Sequence, residues 1–88
     1  MTWRVEFDDR ARKELRKLDK SAQNNILHYL RTRIATAEDP RRFGDPLKKN
    51  LSGFWKYRIG AYRVICAIGD KKITVRVIRI GHRKDVYL

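Results

Sequence analysis

Hydrophobic and polar residues alternate at the start of the chain and then change to a helical period. Residues 2–7 alternate as in a half-buried strand, with Trp3, Val5 and Phe7 on one side. Two apolar stripes at helical spacing follow, the first with Leu15 and Leu18 and the second with Ile26, Leu27, Leu30, Ile34 and Ala37. These patterns predict a strand followed by two amphipathic helices.

Capping and helix-breaking residues set the expected limits of the two helices. Asp8 and Asp9 supply the side chains that are favoured at a helix N-terminus. Ser21 is suited to the N-cap of the second helix. Because the residue before proline avoids the α region, Asp39-Pro40 is expected to end that helix. The segment 40–53, PRRFGDPLKKNLSG, is expected to form an ordered loop that leads to the sheet.

The second half of the chain has the pattern of three consecutive strands. Residues 54–59, 62–68 and 73–80 are rich in β-branched and aromatic side chains, and Gly60-Ala61 and GDKK separate them as turns. Short turns of this kind join antiparallel neighbours. The sequence therefore predicts an α+β fold of order β-α-α-β-β-β, in which two N-terminal helices pack on one face of a small antiparallel sheet. The length favours a single domain over residues 1–88.

The charge of the chain points to a polyanionic partner. Its 22 Lys and Arg residues against 10 Asp and Glu residues give a formal net charge of +12.

Cys66, the single cysteine, lies in an apolar run and is expected to be a small buried residue. No stretch approaches the roughly 20 apolar residues that cross a bilayer, so we expect a cytoplasmic protein. No metal-ligand cluster or nucleotide-binding motif is recognisable, and we expect neither metal nor cofactor.

Several cations of the predicted sheet are expected to share one face. If Gly60 takes the positive φ of a type II′ turn, Arg58 stands directly opposite Arg63. Lys56 is then on the same face, and the alternate residues of both strands point the other way. Like charges directly opposite one another destabilise a sheet by roughly 0.2 to 1 kcal/mol, so selection for folding alone would avoid them. If the tail folds back, Arg83 and Tyr87 reach the same concavity.

This group of side chains suits cleavage of RNA without a metal. The reaction needs activation of a 2′-hydroxyl, stabilisation of charge on the phosphate and protonation of the departing 5′-oxygen. Arginines clamp phosphate, and a lysine held among cations can act as the acid or base. Tyr87 can stack on a base or bind a phosphate oxygen. His82, beside Arg83, is a second candidate for proton transfer or for a phosphate contact.

Other cations and aromatic residues have simpler interpretations. The basic residues of the first helix, Arg10, Arg12, Lys13, Arg16 and Lys17, form either a solvated face or a docking face for a partner. Trp3, Phe54 and Trp55 are interpreted as core residues rather than as platforms for base stacking.

The segments WKYRIGAYRVIC and VIRIGHRKDVYL, together with the predicted element order, resemble the RelE group of the RelE/ParE toxin superfamily. The resemblance implies a RelE-like microbial RNase fold. It also implies a toxin of a type II toxin-antitoxin system that cleaves messenger RNA in the ribosomal A site and leaves a 2′,3′-cyclic phosphate.

The resemblance assigns roles to particular residues. Lys56 and Arg58 match two basic residues of the strand before the hairpin, and Lys56 is the nearer to proton transfer. Arg63 matches an arginine that contacts the scissile phosphate, and Arg83 and Tyr87 match the arginine and tyrosine of the tail. The general acid or base stays open between Lys56 and His82. Lys48 and Lys49 are possible substitutes for an RNA-binding arginine of the family's loop.

The resemblance also names partners. They are a cognate RelB-like antitoxin that wraps the basic surface, the ribosome with its messenger RNA, and operator DNA reached through the antitoxin complex; no membrane is involved. Two alternatives to a ribosome-dependent endoribonuclease stay open. One is a ParE-like toxin that inhibits DNA gyrase without nuclease chemistry, and the other is a non-enzymatic nucleic-acid binding module, whose affinity would fall steeply with salt.

Overall fold

The computed structural model describes residues 1–48 and 53–82, which form two helices and one sheet. The helices are α1 (Asp9–Arg16) and α2 (Lys20–Tyr29), and α2 continues into a π-helical turn, Leu30–Ile34. The strands are β1 (Arg4–Phe7), β2 (Asp45–Pro46), β3 (Phe54–Ile59), β4 (Tyr62–Gly69) and β5 (Thr74–His82), and a 3-10 turn, Pro40–Phe43, precedes β2. The predicted α+β class is confirmed.

The sheet is mixed, so the prediction of an antiparallel sheet is wrong for its first strand. The strand order is β1-β5-β4-β3-β2, and β1 runs parallel to β5, with Val5 opposite Val75. No tight turn joins β1 to β5, because both helices and three strands lie between them, and the direction of β1 is therefore not set by a hairpin. The sheet also gains the two-residue strand β2, antiparallel to β3, inside the segment that was expected to be a loop.

The second helix begins and ends earlier than predicted. Its N-cap is Asp19 rather than Ser21, because the Asp19 carboxylate accepts a hydrogen bond from the backbone N–H of Ala22 at 2.7 Å. The helical path stops at Ala35, which closes the π-helical turn, and Pro40 instead starts the 3-10 turn. The chain thus leaves the helix one turn before the Asp39-Pro40 step.

The core lies between the helices and one face of the sheet. Buried residues of α1 and α2, such as Ala11 and Ile26, pack in one cluster with alternate residues of β3, β4 and β5. Cys66 is fully buried, as predicted, and burial raises the pKa of its thiol. Tyr57 is also fully buried, and its hydroxyl donates to the carbonyl of Pro40 at 2.7 Å. This hydrogen bond fixes the turn that precedes β2 against β3.

The Glu14 carboxylate links helix α1 to the end of β5. Glu14 accepts a hydrogen bond from the backbone N–H of Ile80 at 2.8 Å and an ion pair from Arg79 Nε at 3.2 Å. Because β1 pairs only with residues 74–77 of β5, this N–H lies beyond the paired part of that edge. Glu14 therefore satisfies a backbone donor that the sheet leaves open. Within the described chain, the helices are too short and too polar to cross a membrane.

Candidate active site

The hairpin between β3 and β4 has the predicted register. Gly60 takes φ of 60°, the positive value that the first position of its two-residue turn requires. The turn places Arg58 directly opposite Arg63. Both side chains stand on the sheet face that points away from the helices, because the neighbouring pair Tyr57 and Val64 belongs to the core. The structure thus brings together the two arginines that the sequence placed face to face.

These two arginines border a concavity on the open face of the sheet. It has a volume of about 230 Å³ and is lined by Asp45, Lys56, Arg58 and Arg63 together with Tyr57. Lys56 is half-buried, on the same strand face as Arg58. Three cations around a pocket of this size can bind one phosphate group from several sides. The predicted association of Lys56, Arg58 and Arg63 is therefore present in the structure.

Asp45 is a member of the concavity that the sequence analysis missed. It lies in β2 and pairs directly with Lys56 of β3, which places a carboxylate among the cations. Gly44, before it, lies so close to β3 that a Cβ there would come within 3.0 Å of Tyr57 Cε1 and 3.3 Å of the Lys56 carbonyl oxygen. Gly44 was a signal in the sequence for this close approach of the chain to β3, because glycine has no Cβ. Asp45 is the next residue and is therefore held beside β3.

His82 lies on the opposite face of the sheet from the concavity. It pairs with Tyr62, and Tyr62 pairs with Ile59 of the core. Since directly paired residues share a face, His82 points to the side of the helices, whereas Arg63 points away from them. The rings of His82 and Tyr62 make an edge contact, with 6.1 Å between their centroids. The structure does not bring His82 together with the cations, and its role stays a prediction.

The remaining predicted site residues are placed only in part. Lys48 is exposed and follows β2, where the backbone N–H of Leu47 still donates to the Phe54 carbonyl at 3.0 Å. The residues Lys49, Arg83 and Tyr87 lie outside the described parts of the chain. Across residues 1–48 and 53–82, no three His, Cys, Asp or Glu side chains are grouped as metal ligands.

Comparison with known proteins identifies the family. A sequence model of the family described as "ParE toxin of type II toxin-antitoxin system, parDE" matches residues 5–87. The chain therefore belongs to the RelE/ParE superfamily, and it is a toxin of the type II toxin-antitoxin class. The resemblance read from the hairpin and the tail is confirmed at this level.

Relatives of similar length support the same assignment. The chain is 32% identical to Toxin RelG of Mycobacterium tuberculosis over 87 residues, covering 99% of this chain and 98% of the relative. It is 31% identical to the mRNA interferase toxin RelE of Escherichia coli K12 over 90 residues, covering 99% and 92%. The crystal structure of the toxin-antitoxin complex RelBE2 from Mycobacterium tuberculosis contains a similar chain, with a TM-score of 0.85, 30% identity and coverage of 97% and 95%.

Proposed function

We propose that this toxin is a metal-independent endoribonuclease that cleaves messenger RNA in the A site of the translating ribosome. The observation that carries the proposal is the concavity in which a lysine, two arginines and a carboxylate converge on the open sheet face. Such a set combines phosphate binding with groups that exchange protons. Placing Arg58 directly opposite Arg63 does not help the protein to fold, because like charges repel one another across a sheet. The E. coli relative is named an mRNA interferase, which agrees with this chemistry.

In the proposed reaction, the 2′-oxygen attacks the adjacent phosphorus and the bond from phosphorus to the 5′-oxygen breaks. Arg58 and Arg63 bind the phosphate oxygens, where negative charge increases in the transition state. One group takes the 2′-hydroxyl proton and another gives a proton to the departing 5′-oxygen, so that the products are a 2′,3′-cyclic phosphate and a 5′-hydroxyl. The Asp45 carboxylate is suited to accept the first proton and the Lys56 ammonium to donate the second.

Arg83 and Tyr87 complete the proposed site from the tail. The proposal keeps their predicted roles, in which Arg83 adds a further phosphate contact and Tyr87 stacks on a substrate base. His82 is the last residue of β5 and lies on the other face of the sheet. The proposal therefore does not use His82 as the acid or the base.

The proposed protein partner is an antitoxin that covers the basic surface. A chain with a net charge of +12 favours an acidic, partly disordered segment that orders on binding. The similar chain from Mycobacterium tuberculosis is part of a toxin-antitoxin complex, and a RelB-like antitoxin is the corresponding proposal for this toxin. Operator DNA would be reached through that complex.

A second candidate function follows from the name of the matching family. That family is described as the ParE toxin of the parDE system. Inhibition of DNA gyrase, which the resemblance to the ParE branch implies, is therefore the alternative activity. Such a toxin would act by binding, and the converging cations of the concavity would have no catalytic purpose.

Induction of the toxin in growing cells distinguishes these functions. We expect protein synthesis to stop within minutes while plasmid supercoiling is unchanged, and we expect Arg63→Ala to abolish the arrest while its circular dichroism spectrum and solubility match the wild type. Relaxed plasmids with continued protein synthesis would instead support the gyrase function. Binding to RNA with neither effect would support a non-enzymatic binding module.

A further inference from the structure

The last four residues of β5, residues 79–82, lie beside the candidate active site, and we call them the β5 end. They pair with residues 62–65 of β4, and Gly81 stands directly opposite Arg63 of the concavity. Arg83, the tail arginine of the proposed site, follows the β5 end directly in the sequence. The position of the β5 end therefore decides where the chain passes Arg63 and from which point Arg83 starts.

Strand pairing alone gives the β5 end little support. Within the described chain, β1 pairs with residues 74–77 of β5 and with none of the residues that follow, so the outer edge of the β5 end has no neighbouring strand. On the inner edge, the register of β4 against β5 shifts between Ile65 and Cys66. Such a shift interrupts the ladder of hydrogen bonds and bends the strand. The β5 end therefore needs a further contact to be held in one position.

Glu14 of α1 supplies this contact. Its carboxylate accepts hydrogen bonds from the backbone N–H of Ile80 at 2.8 Å and from Arg79 Nε at 3.2 Å. The two side chains of the ion pair are mostly buried, with exposed fractions of 22% for Glu14 and 17% for Arg79. Hydrogen bonds to a charged group are shorter and stronger than neutral ones, and burial reduces their screening by salt. One carboxylate thus holds both the backbone and a side chain of the β5 end.

The docking of α1 on the sheet does not require Glu14. Ala11 of α1 is fully buried and Leu15 packs against the same core cluster, so the helix already has an apolar face that places it on the sheet. Removing a carboxylate from water costs free energy that an apolar side chain at the same position would not. Such a residue is expected where a strand must be held in place for function.

We propose that Glu14 is a positioning residue of this toxin, which holds the β5 end so that Arg83 enters the site beside Arg63. The proposal rests on the proposed function, because it requires that Arg83 binds the phosphate of the RNA. Glu14 contributes orientation and no contact with the substrate. A displacement of about 1 Å in a site of this kind can lower a rate by about 10²-fold.

Two substitutions of Glu14 and one control variant test this role. Glu14→Ala removes the acceptor of both hydrogen bonds, whereas Glu14→Gln keeps an amide oxygen that can accept from the Ile80 N–H and weakens the interaction with Arg79. Ile26→Val is the control, because it removes one methylene group from a fully buried side chain of α2 and lowers stability without changing Glu14. Urea denaturation measures how far each variant is destabilised.

Amide hydrogen exchange measures the contact itself, independently of any activity. The readout is the exchange rate of Ile80 relative to that of Val75, which lies in the part of β5 that pairs with both β1 and β4. We expect this ratio to rise at least about tenfold in Glu14→Ala and by less in Glu14→Gln, because the Ile80 N–H loses or weakens its acceptor. The ratio in Ile26→Val should match the wild type.

Single-turnover cleavage on programmed ribosomes measures the consequence for the reaction. We expect Glu14→Ala to lower the maximal rate by about tenfold, with an unchanged ribosome concentration for half-maximal rate, and we expect Ile26→Val to keep the wild-type rate. Arg83→Lys keeps the charge but loses the bidentate contact of arginine. In that background Glu14→Ala should cost less than about twofold, because the group that Glu14 positions is already impaired.

Three results would overturn the proposal. They are a wild-type exchange ratio at Ile80 in Glu14→Ala, a loss of cleavage rate in Ile26→Val as large as that in Glu14→Ala, and an equal loss from Glu14→Ala with and without Arg83→Lys. A wild type that does not cleave would overturn the proposed function instead. The exchange of Ile80 would then still show whether Glu14 holds the β5 end.

Discussion

Arg58 of β3 stands directly opposite Arg63 of β4, across a hairpin whose two-residue turn allows no other register. The two guanidinium groups share the sheet face that the helices leave uncovered. Like charges in this relationship destabilise a sheet by roughly 0.2 to 1 kcal/mol. Their retention in a small domain is expected where a bound anion removes the repulsion, and the phosphate of RNA is the anion that we propose.

The first prediction is that Arg58→Gln makes the folded protein more stable and less active. Removing one of two opposed charges should raise the free energy of unfolding by about 0.2 to 1 kcal/mol, measured by urea denaturation. Growth arrest should weaken at the same time. Arg76→Gln is the matched control on the same sheet face, because Arg76 is paired with Asp8 at 3.2 Å and its loss should not stabilise the protein. Equal stabilisation by both variants would show that net charge, rather than the opposed pair, is responsible.

The second prediction concerns Asp45, the carboxylate beside Lys56. Asp45→Asn keeps the size of the side chain and the backbone pairing of β2 with β3, so stability should change by less than about 0.5 kcal/mol. The cleavage rate should fall by roughly 10² to 10⁴-fold, the usual contribution of a general base. Single-turnover cleavage on programmed ribosomes measures this rate. A variant with the wild-type rate would remove Asp45 from the mechanism and leave Lys56 as the candidate base.

The third prediction separates the two faces of the sheet. His82→Ala should keep the cleavage rate within about tenfold of the wild type, because His82 faces Tyr62 rather than the concavity. Lys56→Ala should lose activity by about 10²-fold or more, because it removes a group that lines the site. The two variants are compared in the same single-turnover assay. A larger loss of cleavage rate in His82→Ala than in Lys56→Ala would indicate that the histidine, rather than the lysine, transfers the proton.

The fourth prediction concerns the buried phenol of Tyr57. Tyr57→Phe leaves the Pro40 carbonyl without its hydrogen bond and should lower the free energy of unfolding by about 1 to 3 kcal/mol. Burial raises the pKa of this phenol above its ordinary value of about 10. The unfolded chain therefore releases the Tyr57 proton first as the pH rises, and stability is lost above about pH 10.

Urea denaturation between pH 8 and pH 11 checks this account. The wild type should lose stability with a steeper slope than Tyr57→Phe, and the two curves should converge as the pH rises. Part of the slope should remain in the variant, because burial also raises the pKa of Tyr29. Parallel curves for the two proteins would contradict a raised pKa at Tyr57.

The predictable features of the fold are those that neighbouring residues determine. The hairpin register follows from the two-residue turn at Gly60, and the face of Arg58 and Arg63 follows from that register and from the alternation along each strand. The burial of Cys66 follows from its apolar neighbours. Each of these requires only interactions between residues close in sequence.

The features that were not predicted depend on strand pairings between residues distant in sequence, or on a choice between two neighbouring residues that are equally suited to the same position. The parallel pairing of β1 with β5 joins the two ends of the chain, and the pairing of Asp45 with Lys56 depends on a strand of two residues. The register of β4 against β5 shifts between Ile65 and Cys66, which depends on how the two strands pair. Asp19 and Ser21 are both good N-caps, and only the structure shows which carboxylate or hydroxyl accepts the hydrogen bond.

The most direct test of the central claim is primer extension on messenger RNA bound to translating ribosomes, with the wild-type toxin and Arg63→Ala. We predict wild-type cuts in the codon of the A site, no cuts in the same RNA without ribosomes, and no cuts by the folded Arg63→Ala protein. Uncut messenger RNA on ribosomes that the wild-type toxin has bound would contradict the claim. So would cleavage that Arg63→Ala leaves unchanged.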